Sequence, residues 1–216
     1  MPVIHLVRHG QASFGTDNYD LLSTRGHEQA ATAGRELARR GTQRPIMVSG
    51  SLQRQRRTAE IIAGELGLAG SVVSTDEGWN EFDAHALVDA RLGSDRASAG
   101  LSSQEFQIEL DEAMQTWIDG GGPAWRTFSN GAVEALARIA EQTPKGSEAI
   151  VATSAGVTAA VVGQLLGLEA RGVIALNRVS VNASITTVLA GSRGLSLLTF
   201  NDHAHFIGQA GLVTNR

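Results

Sequence analysis

Three short aliphatic runs constrain this chain most: residues 3–8, 46–49 and 149–153. Each stops abruptly at a turn, and each is followed by a longer stretch with helical patterning. Ser23 is placed to cap a helix over 24–40 that Gly41 closes. Further helices are expected over 52–66, 104–118, 130–141 and 156–166, with Gly67 and Gly167 as stops. Val72 and Val73 suggest another short strand, and 184–189 with 195–200 read as a closing pair around Gly191 and Gly194. Strands alternating with helices predict an α/β fold, a three-layer α/β/α sandwich with a mostly parallel central sheet.

No repeat and no linker divides the 216 residues, so 1–216 is read as one domain with a substantial core. The pattern weakens from Trp79 to about residue 103, where His85, Asp89, Gly93, Ser94 and Ser98 suggest a mobile excursion. Residues 82–125 are therefore read as an inserted lid, broken by Gly120-Gly121-Gly122-Pro123.

Composition removes several chemistries. The chain has no cysteine, which excludes disulfides, thiolate nucleophiles and cysteine-ligated zinc. A formal net charge of -4 argues against a general nucleic-acid binder. The first strand starts at Val3 with no basic region or apolar signal core before it, and no window reaches the ~20 apolar residues of a membrane span. A cytoplasmic protein without membrane contact is the expectation. The sequence does not set the oligomeric state, a homodimer included.

Candidate chemistry begins at Leu6-Val7-Arg8-His9-Gly10. An imidazole beside a guanidinium at a strand end suits a histidine that attacks phosphorus, with the arginine gripping phosphoryl oxygens. Neighbouring strand residues point to opposite faces, so the strand must end here, and Gly10 is expected to supply the turn. Ser51-Leu52-Gln53-Arg54 brings a second arginine to a helix opening, where anions are favoured, and Thr58 shares its face. The plain alternative is a solvated basic face of Arg54, Arg56 and Arg57. Trp79-Asn80-Glu81-Phe82-Asp83 sets carboxylates among aromatic rings. A glutamate shielded by the indole keeps its proton and can serve as general acid. Thr153-Ser154-Ala155-Gly156 ends a strand and opens a helix, and Ser154 is either a plain helix cap, a phosphoryl ligand, or both.

These motifs, in this order, resemble the histidine phosphatase superfamily, which includes phosphoglycerate mutases and broad-specificity bacterial phosphatases. The resemblance covers most of the chain. It rests on Leu6-Val7-Arg8-His9-Gly10-Gln11-Ala12-Ser13, on Leu22-Ser23-Thr24-Arg25-Gly26-His27-Glu28-Gln29-Ala30, on the segment from Ser51 to Ala59, and on Asn80-Glu81. It implies a phosphoglycerate mutase-like fold, His9 as the nucleophile, Arg8 and Arg54 as phosphate clamps, and Glu81 as the acid and then the base. It implies no cofactor and a small phosphorylated substrate.

One position departs from the family pattern. Ser154 stands where the family usually has a second histidine, and a serine donates a hydrogen bond without charge. Reduced activity is expected unless His85, His203 or His205 compensates. Asp202-His203-Ala204-His205 also raises a metal site, since two histidines two apart on a strand share a face, but no metal is expected. His5 is read as packed in the first strand and His27 as exposed. A phosphomonoesterase is the leading expectation. A phosphoglycerate mutase ranks below it because the lid offers few basic residues, Arg91 and Arg96. A phosphoryl-binding regulatory module is the third reading.

Overall fold

The computed structural model describes residues 1–13, 20–70, 72–93 and 98–215. The positions Phe14, Gly15 and Asp17 of the first loop, and Ser94 and Arg96 of the lid, lie outside the described residues.

Strand β1 (Val3–Arg8) leads through a loop to α1 (Thr24–Arg39); β2 (Ile46–Ser49) and α2 (Gln53–Glu65) follow. Then come β3 (Ser74–Thr75), α3 (Ala84–Leu92), α4 (Ser103–Asp119) and α5 (Pro123–Gln142). The last part holds β4 (Glu148–Thr153), α6 (Ala155–Leu166), α7 (Ala170–Val179), β5 (Ile185–Gly191) and β6 (Gly194–Asp202). The strands form one sheet in the order β3-β2-β4-β1-β5-β6. The first four neighbours run parallel, while β5 is antiparallel to β1 and β6 antiparallel to β5. The sheet is therefore mostly parallel, as expected.

Alternation along the strands sorts the core into two layers. Val7, Met47, Ile150 and Ile185 face α1 and α2, where Ala33, Leu37, Ala59 and Ile62 receive them. Ile4, Leu6, Val48 and Val151 face the other way, toward Ala132 and Leu136 of α5 and Val157 and Val161 of α6. A third cluster joins Val88 of α3 and Leu110 and Met114 of α4 to Ile174 of α7.

Several expectations are corrected. Strand β3 lies at Ser74–Thr75, just beyond Val72 and Val73. The stretch expected to be an excursion contains α3, capped by Asp83, whose carboxylate accepts from the Ala86 N–H at 2.9 Å. Helix α5 begins at Pro123, seven residues before the expected start at 130, because proline suits a first helical position where no N–H is needed. Helix α7 was not anticipated at all. Ser23 does cap α1, accepting from the Gly26 N–H at 3.0 Å.

Gly10 serves a different purpose from the one expected. Its backbone is not left-handed. A Cβ there would lie 2.2 Å from the Gly26 carbonyl oxygen, so glycine is required by the close approach of α1.

Candidate active site

The β1–β4 register sets Arg8 beside Thr153, so His9 and Ser154 leave adjacent strand ends. The His9 backbone is fixed on both sides. Its N–H donates to the Thr153 carbonyl at 2.8 Å, and its carbonyl accepts from the Asn182 side-chain amide at 3.2 Å.

The partners of the His9 ring determine its tautomer. Nδ1 lies 2.7 Å from the Gly10 carbonyl, which can only accept, so Nδ1 carries the proton. Arg54 Nε donates to Nε2 at 3.2 Å, which requires a lone pair there. Burial holds the His9 pKa well below the usual histidine value, and the charges of Arg54 and Arg8 add to that; the bond to Gly10 opposes it weakly. The ring is therefore neutral, with a lone pair on Nε2.

Arg54 and Arg8 are each only 9 % exposed, which excludes the solvated basic face for Arg54, although Arg56 and Arg57 are exposed. Arg54 Nη1 meets Asp20 Oδ1 at 2.6 Å, and Asp20 Oδ2 accepts from the Gln53 N–H at 2.8 Å. Arg8 Nη1 donates to the Ser180 carbonyl. Thr58 joins the turn to α2: its hydroxyl accepts from the Gly10 N–H at 3.1 Å and donates to the Arg54 carbonyl at 2.8 Å.

Glu81 lies at the opening of α6. Its carboxylate accepts from the Gly156 N–H at 2.9 Å and from the Phe82 N–H at 3.2 Å. Burial raises its pKa, and the Gly156 N–H, Arg54, the Phe82 N–H and Arg8 pull the other way. The expected indole shield is corrected: Trp79 is fully buried in the core between sheet and α5. Phe82 is the ring beside the acid. A Cβ on Gly156 would lie 2.3 Å from Glu81 Oε1 and 2.4 Å from Phe82 Cε1, so glycine makes room for both.

Ser154 occupies the cap position of α6 but its side chain makes no capping bond. The plain helix-cap reading is thus corrected. Its hydroxyl instead accepts from Gln55 Nε2 at 2.8 Å, and both residues are fully buried.

The three proposed compensating histidines have other engagements. His85 is exposed on α3; its Nδ1 meets the Ser98 hydroxyl at 3.0 Å and its ring packs on Phe106. His203 Nδ1 donates to the Asn201 carbonyl at 2.7 Å. His205 Nε2 donates to the Ala183 carbonyl at 3.1 Å, and burial lowers its pKa to about 4. The shared face expected of the last two does not form, because β6 ends at Asp202 and a short 3₁₀ turn follows. Asp202 turns to Arg40 at 2.7 Å. Among the described residues there is no cluster of three or more histidine and carboxylate groups suited to a metal. No helix among them is long and apolar enough to cross a membrane.

Sequence reasoning missed Asp20, Gln55 and Asn182. Gln55 carried a usable signal: with Thr58, Ala59 and Ile62 it falls on the inward stripe of α2 at spacings of three, four and seven. Asp20 and Asn182 reach the site from distant segments and carry no local pattern.

A neutral histidine between two buried arginines, at the parallel-strand ends of an α/β sandwich, defines a phosphoryl-transfer type of site. The family model of the histidine phosphatase superfamily (branch 1) matches residues 4–203. The chain belongs to this superfamily, whose similar members are phosphatases and phosphoglycerate mutases.

A 2,3-bisphosphoglycerate-dependent phosphoglycerate mutase of Methylobacterium radiotolerans is 28 % identical over 167 residues, covering 74 % of this chain and 65 % of that protein. The mutase of Azorhizobium caulinodans is 29 % identical over 109 residues, 48 % of this chain and 52 % of its own length. The chain thus spans about half to two thirds of these curated relatives.

Among solved structures, Bacillus stearothermophilus YhfR superposes with a TM-score of 0.68 at 17 % identity, covering 95 % of this chain and 99 % of that one. A phosphoserine phosphatase of Entamoeba histolytica, in complex with phosphoserine, gives 0.66 at 18 % identity, with 95 % and 99 % covered. These likenesses establish the fold.

Proposed function

We propose that this protein is a phosphomonoester hydrolase that works through a phosphohistidine on His9. The observation that carries the reading is the His9 tautomer: the proton sits on Nδ1, held by Gly10, and the Nε2 lone pair faces Arg54. In the first step Nε2 attacks phosphorus, the bond to the leaving oxygen breaks, and Glu81 gives that oxygen its proton. In the second step Glu81 takes a proton from water, the water oxygen bonds to phosphorus, and the phosphorus–nitrogen bond breaks to release phosphate. Arg8 and Arg54 offset the charge on the transferring group, which needs no metal in this scheme. A small phosphorylated molecule is the substrate.

The names of the curated relatives favour a mutase as the second reading. The lid weighs against it: residues 82–125 hold eight carboxylates and two arginines. One of the two, Arg91, is taken up by Glu109 at 3.2 Å and by Glu112. A doubly phosphorylated sugar acid needs cations there.

Phosphoenzyme trapping followed by peptide sequencing tests the reading. Label on His9, with turnover of a chromogenic phosphoester lost in His9→Ala, is the expected result. Label elsewhere overturns it. Conversion of 3-phosphoglycerate with bisphosphoglycerate would install the mutase in its place, and phosphate binding without turnover would install the regulatory module.

A further inference from the structure

Gln55 is a fully buried polar side chain of the site that the mechanism above leaves unused. Its amide nitrogen makes two bonds of 2.8 Å, to the Trp79 carbonyl and to Ser154 Oγ. The Trp79 carbonyl can only accept, which fixes the nitrogen on that side and makes Ser154 Oγ the acceptor of the second N–H. The same carbonyl also receives the Thr153 hydroxyl at 2.9 Å. Gln55 Oε1 has no hydrogen-bond partner among the described residues. The amide is therefore held by its two donor bonds.

The consequence falls on Ser154. Its oxygen is occupied by Gln55, and among the described residues no group accepts its own proton. A serine hydroxyl donates one proton and rotates to suit its surroundings. A donor already seated on its oxygen removes that freedom and polarises the O–H. Ser154 follows Thr153, whose carbonyl holds the His9 N–H, and it opens α6, whose Gly156 N–H holds Glu81. The backbone on one side of Ser154 thus holds the nucleophile and on the other side the acid.

Gly50 completes the device. A Cβ there would lie 2.0 Å from Gln55 Oε1 and 2.6 Å from Asn80 Oδ1, so only glycine admits both amides.

We propose that Gln55 is a positioning residue that presents the Ser154 hydroxyl as a hydrogen-bond donor to the transferring phosphoryl group. The proposal rests on the phosphohistidine reading above. It makes Ser154 and Gln55 one functional unit, with the amide polarising a neutral donor.

A double-mutant cycle tests it, read as kcat and KM on a chromogenic phosphoester. Ser154→Ala and Gln55→Leu should each lower kcat about tenfold with little change in KM, the size of one transition-state hydrogen bond. The double variant should be no slower than Ser154→Ala alone, because Gln55 then has nothing left to position. Losses that multiply would show that Gln55 acts only as scaffold for the 79–81 segment and would overturn the proposal. So would a Gln55→Leu enzyme with wild-type kcat.

Gln55→Glu keeps the shape and guards against a folding failure. Ionised, it draws the Ser154 proton to itself; protonated, it has a single O–H, which can return one of the two donor bonds of the amide, that to Ser154 Oγ. Its kcat should recover as pH falls, and a profile parallel to wild type overturns the idea. His9→Ala is run alongside. Undiminished turnover in that variant removes the phosphohistidine reading and this proposal with it, whereas an inactive His9→Ala with uncoupled 55 and 154 removes the proposal alone.

Discussion

The floor of the candidate site and the expected lid, residues 82–125, are built on opposite terms. The floor gathers buried polar groups, His9, Arg8, Arg54, Gln55 and Ser154, each held by bonds from rigid strand ends or helix starts. The lid gathers half-buried rings and surface charges. Phe82, Trp117 and Trp125 pack with one another and with Phe128, just beyond the lid, at ring centroids 5.0 to 5.9 Å apart. Around them run exposed ion pairs such as Arg91–Glu109. Ring packing tolerates shape change, and exposed ion pairs contribute little stability. Buried polar networks tolerate almost nothing. On the proposed reading, the chemistry belongs to the floor and the choice of substrate to the lid.

The sharpest way to break that contrast is at His9. His9→Ala should lower turnover by at least about 10⁴-fold, measured by phosphate release, since loss of a nucleophile removes the covalent route. Glu81→Gln follows, with a loss of about 10²–10⁴-fold. The loss should be smaller on an aryl phosphate, whose leaving group needs less protonation.

The pH profile of kcat/KM should carry the same signature. The proposed first step requires neutral His9 and protonated Glu81. Burial holds the first below the usual histidine pKa and the second above the usual carboxylate value. The acid limb should therefore lie below the ordinary histidine range, and the alkaline limb should vanish in Glu81→Gln.

A lid change should behave differently. Trp117→Ala should raise KM about tenfold for a phosphoester with a bulky apolar alcohol. It should leave the amount of trapped phosphohistidine unchanged. A fall in trapped phosphoenzyme would erase the division between floor and lid.

Packing gives the next test. Ser154→His alone drives an imidazole into the space Gln55 fills and should cost about 1–3 kcal/mol of stability in denaturant melts. Adding Gln55→Ala restores the volume and should recover most of that.

The smallest effect belongs to His205, outside both regions. Its pKa falls from 6.5 unfolded to about 4 folded, so the unfolded chain binds more protons in that window. Stability is therefore lost as pH drops from 6.5 toward 4. His205→Asn should flatten the decline of Tm with acid without abolishing it, because His5 and His9 are lowered as well.

The sequence carried the parts of the site that sit at element ends. Arg8 and His9 abut an apolar run, Arg54 opens a helix, and Glu81 stands in a short motif, so local pattern was enough to single them out. The parallel sheet was legible for the same reason, in runs ended by turns. What stayed hidden depends on distant segments meeting. Asp20 clamps Arg54 from 34 positions away, and Asn182 reaches the His9 carbonyl across 173. The function of Gly10 was misread because the Gly26 carbonyl that crowds it belongs to another element. Ser154 was visible as a departure, but its Gln55 partner lies 99 positions off.

The place of β1 has a last consequence, for biogenesis. The strand that leads to His9 is made well before β4 and β5, the strands that flank it on either side. A ribosome must release most of the chain before that strand gains either flank. Such long-range closure slows folding. On the proposed reading, the imidazole gains its working surroundings only after both β4 and β5 have been made.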